Sequence, residues 1–141
     1  MTADTIVVDS SVIVAILLEE PEARSFLERL SFSPRNICSA MSFVECVMVL
    51  STRAPGLSLE RFTQSLSDFA IDIAPVDPAQ ASIAAKAFLR FGKGRHPAKL
   101  NLGDCFSYAL AKSLNAPLLY KGEDFGLTDI AAAVPSQEQR P

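Results

Sequence analysis

Three acidic residues at distant points of the sequence, Asp9, Glu45 and Asp104, have types and positions that could bind a cation. Asp9 ends the apolar run Ile6-Val7-Val8, which is typical of a strand buried on both faces, and the turns after later apolar segments carry Asp77 and the loop at 121–124. Glu45 and Asp104 lie near the starts of two helical patterns. Converging carboxylates repel one another until a divalent cation binds, and oxygen-only ligands favour Mg²⁺ or Mn²⁺. A metal of this kind can activate water to attack a phosphodiester.

Each acid also has a purely structural interpretation. An aspartate at a strand-to-helix turn is as consistent with a helix cap as with a metal ligand, and this applies to Asp9. Glu45 follows Ser42 at the spacing of a capping box, and Asp104 follows Asn101 in a weaker version of the pattern. Taken singly, Glu45 and Asp104 therefore favour the structural interpretation.

Helical geometry argues for a functional position of the same two acids. Glu45 shares a helix stripe with the apolar Met48 and Val49, where a carboxylate without a cationic partner is costly. Asp104 lies about 200° around its helix from Phe106, so packing of Phe106 in the core points Asp104 towards an edge or cleft. Gly103 has no side chain and permits close approach of a backbone or a ligand.

The segments that carry these acids alternate between strand-like and helix-like patterns. The predicted strands cover residues 6–8, 36–39, 71–76, 117–120 and 130–134. The predicted helices cover residues 12–18, 42–53 and 59–70, with others after Pro21, after Asp77-Pro78 and from Asn101. This alternation predicts an α/β fold, a single-domain three-layer α/β/α sandwich with a central, mainly parallel sheet. The carboxyl ends of its strands share one edge, where we expect the acids to meet.

Composition and charge limit the classes of protein to which the chain can belong. The 141 residues are 49% apolar and have a mean hydropathy of +0.23, which predicts one domain over residues 1–135 and a disordered tail at 136–141. The net charge of -3 argues against a protein that coats nucleic acid with basic surface. No apolar run reaches the roughly 18 residues that span a bilayer. Three scattered cysteines indicate a reducing compartment, so we expect a cytoplasmic protein.

Four ordered segments resemble the PIN-domain ribonucleases, and among them the toxins of bacterial VapBC toxin-antitoxin pairs. The segments are VVDSSVIVAIL, CSAMSFVE, KGRHPAKLNLGDCFSYALAK and LLYKGEDFGLTDI, of which the last two are specific. The resemblance implies a Mg²⁺-dependent endoribonuclease, with Mn²⁺ as the other candidate ion. The catalytic acids that it implies are Asp9 and Asp104 as direct metal ligands, together with Glu45 and Asp124. Glu123 and Asp129 compete with Asp124 for the fourth place.

Residues beside the implied metal ligands offer contacts for an RNA substrate. An irregular loop before the Asp104 helix is the most basic stretch of the chain and contains Lys93, Arg95, His96 and Lys99. This loop is either a solvated connector or a contact for RNA phosphates. His96 suits stacking or phosphate binding better than proton transfer, because a metal-bound water needs no imidazole. Ser10 is a candidate substrate contact, but capping of the first helix by Ser10 or Ser11 is the favoured interpretation.

The resemblance also implies partners, namely a VapB-like antitoxin and a second copy of the chain in a homodimer. The amphipathic helices at residues 22–30 and 59–70 either form a groove for a partner helix or simply cover the sheet. Two other functions compete with the ribonuclease. A receiver-like phosphoacceptor module would use Lys121, although Asp9 lacks the adjacent acid that such a module needs. A catalytically silent PIN-like interaction protein is the second alternative.

Overall fold

The computed structural model describes residues 4–133 and contains one sheet of four parallel strands. The strands are β1 (Thr5–Val8), β2 (Arg35–Ser39), β3 (Ile71–Ala74) and β4 (Leu118–Leu119), in the spatial order β3-β2-β1-β4. The helices are α1 (Ser10–Leu17), α2 (Ala23–Phe32), α3 (Ala40–Arg53), α4 (Leu59–Asp68), α5 (Pro78–Phe91) and α6 (Leu102–Leu114), followed by a short 3-10 helix at Asp124–Leu127. In this described part, none of the helices has the length and apolar character needed to cross a membrane. The parallel pairing of all strands confirms the predicted fold class.

Strand β1 lies in the interior of the sheet and contributes to both halves of the core. Ile6 and Val8 pack with residues of α1 to α4 on one face, whereas Val7 packs with residues of α5 and α6 on the other. Each of the three side chains is at most 1% exposed. The apolar run is therefore buried on both faces, as predicted, and the helices form two outer layers around the sheet.

The carboxyl end of β1 lies between the ends of its two neighbouring strands. Asp9 follows β1 directly, and its backbone N–H donates to the carbonyl of Leu119 at the end of β4 at 3.0 Å. On the other side, Ser39 ends β2 and caps α3. Helix α6 packs against β1 and β2. The turn after β1 is thus surrounded by elements that come from distant parts of the sequence.

Helix α1 begins earlier than predicted because a different residue caps it. The helix starts at Ser10, and the carboxylate of Asp9 accepts from the backbone N–H of Ser11. The prediction that Ser10 or Ser11 caps the helix was wrong. Asp9 is the cap, so both serine hydroxyls remain available for other contacts.

Helix α3 also begins earlier than predicted. Its N-cap is Ser39, whose hydroxyl accepts from the backbone N–H of Met41, and the first helical residue is Ala40. Ser42 is therefore already inside the helix, and the predicted capping box between Ser42 and Glu45 is not formed. Glu45 lies in the second turn of α3, where it has no capping role.

The strands β3 and β4 are shorter than predicted, whereas β1 and β2 each begin one residue earlier than predicted. β3 ends at Ala74 because the following Pro75 has no N–H to donate to a neighbouring strand. β4 contains two residues rather than four. Within residues 4–133, the predicted fifth strand is reduced to a single parallel bridge between Leu118 and Ala132. Val134 and the predicted tail at 136–141 lie outside the described residues.

Candidate active site

Asp9 is held at the end of β1 by hydrogen bonds from two different helices. Its Oδ2 accepts from the backbone N–H of Ser11 in α1 at 3.1 Å, and its Oδ1 accepts from the hydroxyl of Ser107 in α6 at 2.5 Å. The Ser107 hydroxyl also lies 3.2 Å from that of Ser42 in α3. Only 3% of Asp9 is exposed. Asp9 caps α1 and is at the same time fixed against α6, so its capping role does not exclude a ligand role.

Glu45 projects from α3 towards the same place. Its Oε1 accepts from the hydroxyl of Ser10 at 2.6 Å. Burial raises the pKa of Glu45, the hydrogen bond from Ser10 opposes this, and the charge of Asp9 raises the pKa further. Of the two apolar residues on its stripe, Met48 is 68% exposed, whereas Val49 packs against the core and lines the same cleft as Glu45. The buried face of α3 carries instead Ser42, Cys46 and Leu50.

Asp104 lies in the first turn of α6 and forms a complete capping box with Asn101. The backbone N–H of Asn101 donates to Asp104 Oδ2 at 3.0 Å, and that of Asp104 donates to Asn101 Oδ1 at 2.9 Å. The pattern that looked weak in the sequence is therefore fully formed. Burial raises the pKa of Asp104 to about 7; the Asn101 N–H opposes this shift, and the charges of Asp9, Glu45 and Asp124 add to it.

Gly103 explains how α3 and α6 approach each other at this point. A Cβ atom at Gly103 would overlap the carboxylate of Glu45. The predicted close approach at this glycine is thus present, and the group that approaches is a side chain from α3. Any larger residue at position 103 would displace Glu45 from its place beside Asp104.

The fourth acid position fits Asp124 better than its neighbours. Asp124 begins the short 3-10 helix, and its charge contributes to the raised pKa of Asp104. Asp129 points elsewhere and is already paired: it accepts from the hydroxyl of Tyr108 at 2.6 Å and binds the side chains of Lys112 and Arg90 at 3.0 and 3.5 Å. Asp129 is therefore committed to a structural contact with α5 and α6.

Three of the predicted catalytic acids line one open cleft of about 340 Å³. They are Asp9, Glu45 and Asp104, which come from β1, α3 and α6. The other polar residues that line the cleft are Ser10, Ser11, Glu20, Arg53, Asn101 and Lys121. The sheet edge thus brings together acids that are up to 95 positions apart in the sequence. Asp124 is close enough for its charge to raise the pKa of Asp104.

The chemistry of the cleft suits a divalent cation. The charges that raise the pKa of Glu45 and Asp104 all come from other carboxylates, so a bound cation would relieve the repulsion. Oxygen donors match Mg²⁺ or Mn²⁺. Among residues 4–133, no three acidic, histidine or cysteine side chains stand close enough together to enclose an ion. Mg²⁺ is commonly held by one or two carboxylates and keeps several waters, so such a set of oxygen donors suits it.

Comparison with known proteins assigns the chain to a family. A family model of the PIN domain matches residues 6–131. Ribonuclease VapC of Mycolicibacterium smegmatis is 43% identical over 126 residues, which cover 89% of this chain and 98% of the relative. The chain is a PIN-domain protein of the VapC family. Ribonuclease VapC30 of Mycobacterium tuberculosis is 42% identical over 125 residues, 89% of this chain and 95% of the relative. These relatives confirm the resemblance in the sequence.

Solved structures share the fold of this VapC-family chain at low sequence identity. VapC20 of Mycobacterium tuberculosis has a TM-score of 0.74 at 14% identity, with 92% of this chain and 99% of the other covered. A toxin-antitoxin complex from Klebsiella pneumoniae has a TM-score of 0.68 at 20% identity, with 92% and 98% covered. At such identities the likeness concerns the fold alone.

The basic loop predicted to contact substrate does not line the cleft of this VapC-family chain. It is closed by hydrogen bonds between Lys93 and Leu100 and between Leu100 and Phe91, both at 3.0 Å. His96 Nδ1 accepts from the backbone N–H of Ala98 at 3.0 Å, and the His96 ring packs edge-on against Phe91. The guanidinium of Arg95 lies 5.7 Å from the ring of Phe88. The His96 side chain is therefore engaged in the structure of the loop itself, whereas Ser10 does line the cleft.

Several residues that shape the cleft were missed from the sequence. Ser107 follows Asp104 by three positions, so it lies on the same side of α6, and this spacing is a signal that could have indicated it. Glu20 and Arg53 carry no comparable signal, because they meet only in the folded chain, where Arg53 Nη2 lies 3.3 Å from Glu20 Oε2. For Lys121, the sequence suggested a role only in the receiver-like phosphoacceptor module.

Proposed function

We propose that the chain is a metal-dependent endoribonuclease and the toxin of a type II toxin-antitoxin pair. The observation that carries the proposal is the group of carboxylates from Asp9, Glu45 and Asp104 in one cleft, with repulsion that no neighbouring lysine or arginine relieves. Membership of the VapC family supports RNA as the substrate, since the relatives are ribonucleases by name.

In this proposal the chain orients a divalent ion and a water against a phosphodiester. Asp9 and Asp104 bind the ion through carboxylates that are fixed by Ser107 and by the backbone N–H groups of Ser11 and Asn101. When bound, Mg²⁺ or Mn²⁺ lowers the pKa of a water and stabilises charge on the phosphate. Glu45, whose pKa is raised by burial, would orient the attacking water or accept its proton. Asp124 completes the acidic group.

A VapB-like antitoxin is the proposed partner, and the proposed assembly of the toxin is a homodimer in the cytoplasm. The Klebsiella pneumoniae neighbour is itself a toxin-antitoxin complex. Helices α2 and α4 cover the sheet with buried residues such as Phe26 and Phe62, yet their other faces expose Phe32 at 68% and Leu59 at 58%. These exposed side chains are suited to a partner helix. Cys38, Cys46 and Cys105 are free and buried, which agrees with a reducing compartment.

The receiver alternative is not favoured. Its phosphoacceptor chemistry would need the ammonium of Lys121 at the acid group, but Lys121 Nζ lies 2.8 Å from Glu20 and 3.6 Å from Glu22. A catalytically silent PIN-like protein would lack a reason to keep buried, mutually repelling carboxylates, which are costly without a cation.

The test combines metal binding with cleavage. Calorimetric titration with Mn²⁺ should show binding to the wild-type protein and none to Asp9→Ala or Asp104→Ala. Brief expression in bacteria should arrest growth, and mapping of RNA 5′ ends should reveal new cleavage sites that are missing with Asp9→Asn. Growth arrest and Mg²⁺-dependent cleavage that persist in both Asp9→Asn and Asp104→Asn would place the catalytic centre elsewhere.

A further inference from the structure

Two cationic side chains line the same cleft as the carboxylates and are joined by one acid. Arg53 Nη2 lies 3.3 Å from Glu20 Oε2, and Lys121 Nζ lies 2.8 Å from Glu20 Oε1. Glu20 thus uses one carboxylate oxygen for each cation. We call Glu20, Arg53 and Lys121 the rim cluster.

The rim cluster is assembled from three segments that are distant from one another in the sequence. Glu20 lies in the loop after α1, Arg53 is the last residue of α3, and Lys121 follows β4 by two positions. The backbone N–H of Lys121 donates to the hydroxyl of Ser11 at 3.0 Å, which fixes Lys121 beside the turn that carries Asp9. The position of the two cations relative to the acids is therefore set by the fold.

The two cations do not serve to neutralise the catalytic acids. The groups that shift the pKa of Glu45 and Asp104 include neither Arg53 nor Lys121. The acids therefore line the cleft beside two cations that are paired with Glu20 instead. An RNA strand that enters the cleft can reach both groups.

Both cations keep donors for a ligand although both are paired. Arg53 contacts Glu20 through one nitrogen, and a guanidinium has five N–H donors. Lys121 Nζ lies 2.8 Å from Glu20 and 3.6 Å from Glu22, and its ammonium has three N–H donors for these two acids and a ligand. The Arg53 side chain is 53% exposed and that of Lys121 is 35% exposed, so an incoming group can reach both. An arginine and a lysine that are held close together are suited to phosphate oxygens, the arginine by paired hydrogen bonds and the lysine as a point charge.

We infer that Arg53 and Lys121 form a binding site for a backbone phosphate of the RNA strand, adjacent to the phosphate that is cleaved at the carboxylates. Glu20 is the positioning residue that holds both cations at the rim. This inference rests on the proposed ribonuclease function and adds a second phosphate contact within the same cleft. It assigns the main basic contact to Arg53 and Lys121 and not to the loop with Lys93 and Arg95.

Binding of labelled RNA without metal tests this site independently of cleavage. The probe is a fluorescent single-stranded RNA of mixed sequence, titrated with protein in EDTA at several KCl concentrations. For the double variant Arg53→Gln/Lys121→Gln we expect the slope of log affinity against log salt to fall by about 0.7, which is roughly the contribution of one phosphate contact on a single strand. Arg61→Gln/Lys86→Gln is the matched control, because it removes the same charge from exposed positions on α4 and α5 that do not line the cleft.

Kinetics supply a second readout. We expect KM for RNA to rise about 10-fold in the double variant, with kcat within about threefold of wild type, because contacts away from the reacting phosphate contribute mainly to binding. Lys121→Arg, which keeps the charge, should retain most of the affinity. Equal changes in slope for the double variant and its control would overturn the inference, as would an unchanged KM. A wild-type protein that cleaves no RNA would contradict the proposed function instead, so the two failures are distinguishable.

Discussion

Two aspartates at helix α6 have pKa values that their surroundings shift in opposite directions. Asp104, in its first turn, lies among carboxylates, and its pKa is raised to about 7, first by burial and then by the charges of its neighbours. Asp129 contacts the same helix further along, where it accepts from Tyr108 and binds Lys112. Burial raises the pKa of Asp129 as well, but the hydrogen bonds from Tyr108 and Lys112 more than offset this, and the net shift is downward.

The difference separates a structural acid from a binding acid. Around Asp129 the chain supplies its own cations, so the charge is satisfied when the protein folds. Around Asp104 the chain supplies a hydrogen bond and further acids, while the cations of the same cleft are held by Glu20. A group of carboxylates that the fold leaves without a cation is a candidate site for an external one.

The largest expected effect is the difference in RNA cleavage between substitutions of Asp104 and of Asp129. We expect Asp104→Asn to lower the rate of RNA cleavage by at least about 10²-fold, because a metal ligand contributes several kcal/mol to the transition state. Asp129→Asn removes the same charge from the same helix contact and should stay within about threefold of wild type. Initial rates on a fluorogenic RNA with saturating Mg²⁺ measure both. Similar losses in the two variants would end the distinction between the sites.

The close approach at Gly103 gives the next effect. Gly103→Ala places a methyl group where the Glu45 carboxylate stands, and we expect a roughly 10-fold or greater loss of cleavage, since small displacements of catalytic groups are costly. The displaced atoms are the end of a flexible side chain, so the melting temperature should change little. Gly56→Ala is the control, because a Cβ there meets nothing within 4 Å. Full activity in Gly103→Ala would show that the position of Glu45 is unimportant.

Without metal, replacing Asp104 and replacing Asp129 should change the stability of the protein in opposite directions. The pKa of Asp104 is higher in the folded chain than its ordinary 3.8, so the folded state binds more protons between 3.8 and about 7, and the free energy of unfolding falls as pH rises through that range. At pH 8 in EDTA, Asp104→Asn should therefore melt higher than wild type, by about 3–5 °C for roughly 1 kcal/mol or more.

Asp129 has a lowered pKa, so its stabilisation is present at neutral pH and is lost as pH falls. Asp129→Asn should cost about 0.5–1 kcal/mol at pH 8, since the ion pairs are partly exposed. Thermal melts at pH 5 and pH 8 test the prediction, because the gap between Asp104→Asn and wild type should narrow at pH 5. The cost of Asp129→Asn should be the same at both pH values and should shrink only below about pH 3.8. If Asp104→Asn melts at a lower temperature than wild type at pH 8, the charge of Asp104 does not destabilise the folded protein, and the prediction is wrong.

Local sequence patterns predicted the fold class correctly, but they predicted the first residues of the helices less accurately. The run Ile6-Val7-Val8 and the helical periods are local features, so the parallel sheet and its layers followed from them. The cap of α1 did not, because Asp9, Ser10 and Ser11 are all good capping residues. The choice among them depends on a distant contact, since the hydroxyl of Ser10 is used by Glu45, 35 positions away.

The acids of the candidate site were predictable, but the residues that hold them were not. Strand ends at a shared edge and the family resemblance both indicated Asp9, Glu45 and Asp104. The bond from Ser107 to Asp9 joins residues 98 positions apart, and that from Lys121 to Glu20 joins residues 101 apart, so no local pattern encodes them. His96 was predicted to contact RNA because it lies in the basic loop, yet its Nδ1 accepts a hydrogen bond within that loop.

The smallest expected effect comes from two adjacent residues of α6 whose hydroxyls donate to Asp9 and to Asp129. Ser107 donates to Asp9 at 2.5 Å, and Tyr108 donates to Asp129 at 2.6 Å. Ser107→Ala should lower kcat several-fold with KM nearly unchanged, and weaken Mn²⁺ binding in calorimetry, because Asp9 loses the donor that orients it. Tyr108→Phe should leave kcat and Mn²⁺ affinity unchanged and cost about 1 kcal/mol of stability. Ser107→Thr keeps the hydroxyl and should restore part of the activity if the bond to Asp9 is what matters. If Ser107→Ala and Tyr108→Phe both change stability alone, the hydroxyl of Ser107 has the same structural role as that of Tyr108, and the fixed orientation of Asp9 contributes nothing to the reaction.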